Sequence, residues 1–287
     1  MNILSVQSWV AYGHVGNAAA VFPLQRLGAE VWAIHTVQFS NHTGYGAWTG
    51  RVFDAGDIAA LLDGIEARGV LPRCDAVLSG YMGSAETGAA ILDAAARVRA
   101  ANRRALWCCD PVIGDVGRGV FVRPGIPELM RDAAVPQADL LTPNHFELES
   151  LTGLSCRTLE ATKTAAAVLQ SRMRQDGPRA VLVTSLLTAE TPPDAIDVLA
   201  LGEDAAPFLV RAPRLPINVN GAGDLIAGLF LLHLLRLGSA ARAASLAVSS
   251  VHGVMQATHD AGARELLLVA AQDELVSPTV CFEPSAC

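Results

Sequence analysis

The chain has 287 residues, about half of them apolar, with 21 Lys+Arg against 28 Asp+Glu and a formal charge of −7. A length above about 150 residues carries a soft prior of two domains, yet α/β folds of this size often form one. No stretch reads as a linker, so one domain over residues 1–287 is expected. The negative balance and the lack of a Lys/Arg cluster exclude the phosphate-neutralising footprint of a nucleic-acid binder.

A chain of this mass buries roughly three quarters of its unfolded surface and needs neither disulfides nor a structural metal. The cysteines (Cys74, Cys108, Cys109, Cys156, Cys281 and Cys287) show neither CxxC spacing nor a dense framework. The start has no charged segment ahead of an apolar core, and together these features point to a reducing cytoplasm. The longest apolar run, 225–235, is too short to span a bilayer of about 30 Å, so no membrane segment is expected.

From the N-terminus, apolar runs predict strands over 3–7, 31–37, 76–79, 105–109, 139–142 and 180–184. Several are apolar throughout rather than alternating, as parallel strands covered on both faces are. Helical stretches lie between them. Asn17 is placed to cap a helix that runs to Leu27, with Pro23 kinking it and Gly28 stopping it. Further helices are expected over about 57–68, 86–101 and 158–174. Residues 188–195 read as a surface loop, and the β-like segments 196–201 and 208–211 predict an antiparallel edge. The pattern is α/β: a mostly parallel central sheet with helices on both faces.

Ligands of open α/β sheets bind beyond the carboxyl ends of the strands. The segments there are 8–17, 40–50, 80–83, 110–119 and 143–147, and each carries polar or glycine residues. The sharpest motif is Asn220-Gly221-Ala222-Gly223-Asp224, directly before an apolar helical stretch. Small residues opening a helix expose its first N–H groups, and these, aligned with the helix dipole, make an anion site. Asp224 would then accept a proton from a hydroxyl attacking a nucleotide's terminal phosphate. A tight turn with a capping Asp is the plain alternative.

Two carboxylate motifs follow strands: Asp110-Pro111-Val112 and Thr142-Pro143-Asn144-His145-Phe146-Glu147. Carboxylates at strand ends supply hard oxygen ligands, direct or through water, for the Mg²⁺ that accompanies nucleotide phosphates. On spacing alone, however, Asn144 and Glu147 fit a helix N-cap with its N3 partner better than a metal site. Asp110 before Pro111 also fits a plain turn.

Over nearly its whole length the chain resembles the pyridoxal kinases of the ribokinase-like superfamily. The matching blocks are Gln7-Ser8 with Tyr12-Gly13-His14-Val15-Gly16-Asn17, Val37-Gln38-Phe39-Ser40-Asn41-His42-Thr43-Gly44-Tyr45, Ser79-Gly80-Tyr81, Cys109-Asp110-Pro111-Val112, Thr142-Pro143-Asn144 with Glu147, and Gly221-Ala222-Gly223-Asp224. The glycine motif marks the superfamily, while the Ser40–Thr43 block and the first block are specific to the family. The resemblance implies a three-layer α/β/α fold and transfer of the ATP γ-phosphoryl group to the 5′-hydroxymethyl of pyridoxal, pyridoxine or pyridoxamine. It casts Asp224 as general base and Gly221, Ala222 and Gly223 as the anion hole. Ser8, Thr43, Gly44 and Tyr81 would face the vitamer. Asp110, Thr142, Asn144, Glu147, Thr184 and Ser185 would face the nucleotide. Mg²⁺ would lie near Asp110 and Glu147, and K⁺ near Asp110, Thr142 and Thr184. A flap near 111–123, centred on the glycine-rich 114–119, and a cytoplasmic homodimer are implied as well.

One bacterial branch of the family carries a lysine where this chain has Thr184, and the adenine contacts within 208–219 stay unassigned. His14 and His42 are read as loop-shaping groups, and Cys108 and Cys109 as small buried hydrophobes. The rival readings are a hydroxymethylpyrimidine kinase and a weakly catalytic protein that holds B6 vitamers.

Overall fold

The structure, a computed structural model, describes residues 1–202 and 206–287. The N-terminal half runs β1 (Asn2–Tyr12), α1 (Asn17–Arg26), β2 (Glu30–Asn41), β3 (Gly50–Val52), α2 (Ala55–Glu66), β4 (Ala76–Ser79), α3 (Ala85–Ala101) and β5 (Leu106–Cys109). A small hairpin, β6 (Gly114–Asp115) and β7 (Gly119–Val120), leads to α4 (Ile126–Leu129), β8 (Leu140–Leu141), α5 (His145–Thr152) and α6 (Leu159–Ser171). Then come β9 (Ala180–Leu186), β10 (Ala195–Leu201), β11 (Phe208–Pro213), α7 (Ala222–Leu237), α8 (Ala240–Asp260), α9 (Gln272–Val276) and β12 (Ser285–Ala286).

Ten strands form one sheet in the order β12-β11-β10-β9-β8-β5-β4-β1-β2-β3. The pairs from β9 through β8, β5, β4 and β1 to β2 are parallel. The pairs outside them are antiparallel, including the edge expected from the two late β-like segments. Successive strand residues face opposite layers: in β4, Val77 joins the cluster containing α2 to α6, while Ala76 and Leu78 join the one containing α1 and α7 to α9. Both faces are dry, which is why the inner strands are apolar over several consecutive positions, as at Ala76–Leu78 of β4. Helices cover both sides of a mostly parallel mixed sheet, and no helix among the described residues is long and apolar enough to cross a membrane.

The largest local departure is at Asn17, which does not cap α1. Gly16 holds that position with φ 55°, and no side chain caps the helix. Asn17 is fully buried; it accepts from the Ser5 hydroxyl at 2.7 Å and donates to the Ile34 carbonyl at 2.9 Å. Its amide therefore ties β1, β2 and α1 together, a use that spacing along one element cannot reveal. Pro23 sits inside α1 without ending it, and Gly28 follows with φ 84°. The helix expected from Asp57 starts earlier because Asp54 and Asp57 form a capping box.

Candidate active site

A cavity of about 680 Å³ opens beyond the carboxyl ends of the parallel strands. On one side it meets the start of α7. Gly221 has φ 93°, and a Cβ there would collide with the His14 carbonyl, so only glycine fits. No side chain caps the helix. Nothing lies within 4 Å of where a Gly223 side chain would begin, and the first-turn amides are left open to the cavity.

Asp224 stands in that first turn, half-buried, on the cavity wall. Burial pushes its carboxyl up to about 6, against the pull of hydrogen bonds from the Gly16 amide and its own. Asp110, just past β5, is 6% exposed and accepts the Thr142 hydroxyl at 2.9 Å. Burial, reinforced by the charge of Asp224 and opposed by the Thr142 bond, pushes it up to about 7. A buried and a half-buried carboxylate thus share the cavity, and Asp110 is held by one hydroxyl rather than by a cation.

The capping reading of Asn144 and Glu147 holds. The Asn144 side chain accepts from the Glu147 amide, and Glu147 accepts from the Asn144 amide, both at 2.9 Å. Glu147 does more than cap: its other oxygen accepts the amides of Ile113 at 2.9 Å and Gly114 at 3.4 Å, and Asn144 donates to the Gly114 carbonyl at 2.8 Å. These bonds pin the root of the β6–β7 hairpin, whose Arg118 and Phe121 form part of the cavity wall. Burial first, then the charge of Asp110, raises Glu147 well above the usual carboxylate range, against the three amides.

Ser8 sits where the register between β1 and β2 slips, between Gln7 and Trp9, and it is buried against Gly16. Thr43 opens a one-turn 3₁₀ helix, Thr43–Tyr45, and Tyr81 is half-buried across from it. Ser8, Thr43 and Tyr81 all line the cavity, whereas Gly44 does not. A side chain at Gly44 would approach Asn220 and His42 at 2.9 Å, so its role is to let the turn sit close to the glycine motif.

Thr142, Thr184 and Ser185 complete the wall. Asp197 pairs with Leu186 and Leu199 with Val183, so Thr184 and Ser185 bulge opposite Val198 alone. Ser185 takes φ 52° and is exposed to the cavity. Bulges of this kind re-aim side chains beside binding sites. Cys108 and Cys109 are fully buried, and burial drives both thiols upward, Cys109 to about 12, so neither is a nucleophile. The loop-shaping reading of the histidines also holds: His42 bonds Glu265 at 2.9 Å and His14 bonds the Ala18 carbonyl at 3.2 Å.

Val15, Phe39, Trp48, Arg123 and Asn220 also line the cavity and were not among the expected site residues, although Asn220 opens the glycine motif and Val15 and Trp48 fall in the strand-end segments 8–17 and 40–50. Phe39 lies in β2 and the other four in separate connecting segments. No group of three or more His, Cys, Asp or Glu side chains is poised for a metal among the described residues. The donors present, two buried carboxylates and two threonine hydroxyls, suit a hard cation that completes its shell with phosphate oxygens and water.

The sequence model of the phosphomethylpyrimidine kinase family matches residues 65–267. The chain is 63% identical over 287 residues, 100% of both chains, to the pyridoxal kinase PdxY of Granulibacter bethesdensis. It is 58% identical to that of Deinococcus radiodurans, covering 98% of this chain and 95% of the other. Among solved structures it superposes with TM-score 0.91 and 27% identity on the pyridoxal kinase of Leishmania donovani in complex with ADP and pyridoxamine, covering 100% of this chain and 99% of the other. Full-length likeness at this level, on a ribokinase-like fold with its carboxylates and open amides around one cavity, makes the chain a member of the pyridoxal kinase family.

Proposed function

We propose that the protein is an ATP-dependent pyridoxal kinase that transfers the γ-phosphoryl group to the 5′-hydroxymethyl of pyridoxal, forming pyridoxal 5′-phosphate in vitamin B6 salvage. Pyridoxine and pyridoxamine are further candidate acceptors. The observation that carries this reading is the open first turn of α7 with Asp224 beside it, facing a cavity of about 680 Å³.

A primary alcohol is a weak nucleophile, so positioning and charge stabilisation supply most of the acceleration. The pyridine ring lies among Val15, Phe39 and Tyr81, its polar edge toward Ser8 and Thr43. Its hydroxymethyl group reaches Asp224, which takes the proton as the oxygen attacks phosphorus. In a loose transition state that proton leaves late, so a carboxyl near 6 suffices as base. The amides of Gly221, Ala222 and Gly223 hold the migrating group, and Asn144, Thr184 and Ser185 hold the rest of the nucleotide. Asp110 and Glu147, directly or through water, are assigned to Mg²⁺, and Asp110, Thr142 and Thr184 to K⁺; when bound, these cations neutralise phosphate charge. The hairpin at 114–120, within a flap over 111–123, shields the nucleotide from water. A single kinase domain, a homodimer and a cytoplasmic setting complete the proposal.

The test is ATP-dependent phosphate transfer to pyridoxal, pyridoxine, pyridoxamine and hydroxymethylpyrimidine, with and without Mg²⁺ and K⁺. Transfer to pyridoxal that requires Mg²⁺ is expected. Transfer to hydroxymethylpyrimidine alone, or vitamer binding without transfer, overturns the reading. Asp224→Ala is expected to lower kcat by about 10²- to 10⁴-fold while vitamer affinity, measured by calorimetry, changes by less than about threefold.

A further inference from the structure

Glu265 lies between α8 and α9, outside the cavity wall, and has no part in the chemistry assigned above. Its side chain is 12% exposed and gathers donors from two distant loops. One oxygen accepts the Tyr45 hydroxyl at 2.6 Å and His42 Nε2 at 2.9 Å; the other accepts the His14 amide at 3.3 Å. The Arg264 guanidinium lies 3.9 Å from the centre of the Tyr45 ring.

The two ends of this bridge differ in rigidity. Beside Glu265, Leu266 and Leu268 are buried in the core, and the Leu267 amide bonds the buried Thr258 hydroxyl at 3.1 Å. The 3₁₀ turn that carries Thr43 buries none of its own residues fully, and among the described residues its ring contacts run only from Tyr45 to the neighbouring His42 and Tyr12 and to Arg264. The loop at His14 leads directly to Gly16; its His14 carbonyl packs against Gly221, three residues before Asp224, and its Gly16 backbone packs on Ser8.

We propose that Glu265 is a positioning residue for phosphoryl transfer. One carboxylate oxygen locks the vitamer-contacting turn at Thr43, and the other locks the His14–Gly16 loop that aims Asp224. The inference rests on the kinase reading of the cavity. A single side chain then sets the distance between the acceptor's ring contacts and the base, and a small misplacement there is enough to slow the reaction.

The test is steady-state kinetics of the full chain with pyridoxal and ATP varied separately, together with thermal melting. Glu265→Ala is expected to raise KM for pyridoxal about tenfold and to lower kcat about tenfold, with KM for ATP within about twofold. Glu265→Gln keeps an oxygen for Tyr45 and His42 but turns an N–H₂ group toward the His14 amide. It is expected to restore KM for pyridoxal while kcat stays low. Tyr45→Phe removes one bond to the turn and is expected to raise KM for pyridoxal about threefold with kcat intact. If Glu265→Ala fails to fold, the other two variants decide. The proposal is overturned if they keep both constants within twofold, or if losses fall equally on ATP and pyridoxal. The unaltered chain, run in parallel, separates the two ideas: its failure to transfer phosphate to pyridoxal sinks the kinase reading, whereas its activity beside unaffected Glu265 variants sinks only the present one.

Discussion

Asp110 and Asp139 are both buried, and they stand at opposite ends of the parallel sheet. Asp139, just before β8, is fully buried and surrounded by donors: Arg174 Nε at 2.7 Å, Arg99 at 3.1 Å and the Trp107 amide at 2.8 Å. Asp110, just after β5, has the Thr142 hydroxyl and the repulsion of Asp224. The amino-terminal rim of the sheet neutralises its carboxylate with protein cations. The carboxyl-terminal rim gives Asp110 a hydroxyl and no protein cation, which is the condition the cation assignment proposed above requires.

The largest expected effect comes from breaking the satisfied end. Asp139→Ala should lower stability by about 3–5 kcal/mol in chemical denaturation, since it strands Arg99 and Arg174 in a buried site. Asp110→Asn should do the reverse. It should abolish most activity yet stabilise the protein without nucleotide or metal near pH 8 by about 2 kcal/mol. The sign follows from the upward displacement of Asp110 from 3.8 to about 7: protonated Asp110 favours the fold, and that contribution is lost as pH rises through the folded value. The advantage of the variant should therefore vanish near pH 4, and a gain that persists there would contradict the comparison. The smallest effect is on the base. Because Asp224 titrates near 6 and acts ionised, kcat/KM for pyridoxal should fall about tenfold per pH unit below that value and level off above it. A profile flat down to pH 5 would remove Asp224 from that role.

Much of the layered fold was legible because its parallel strands are dry on both faces, as in β4, where the expected and observed limits coincide at Ala76–Ser79. The short edges β3 and β12 were not, since neither carries an apolar run. In the site, Asp110 and Thr142 stand at the ends of apolar runs and Asp224 directly before one, so all three could be named from spacing. Asn144 and Glu147 were equally visible, but spacing showed only their mutual cap and not the bonds from Glu147 to Ile113 and Gly114. The bulge at Thr184–Ser185 depends on pairing with β10, and the role of Glu265 depends on loops more than 200 positions away, at separations of 251, 223 and 220 residues. Such long-range partners leave no periodic trace.

The large sheet skips a step twice beside the ligand pocket, at Ser8 and at Thr184–Ser185. An engineer who smoothed both irregularities into an uninterrupted ladder would gain backbone hydrogen bonds, and with them resistance to heat, while re-aiming a hydroxyl on each flank of the cavity. Thermostabilisation of this scaffold should therefore concentrate on the opposite rim and the outer helices, where regularity carries no catalytic penalty.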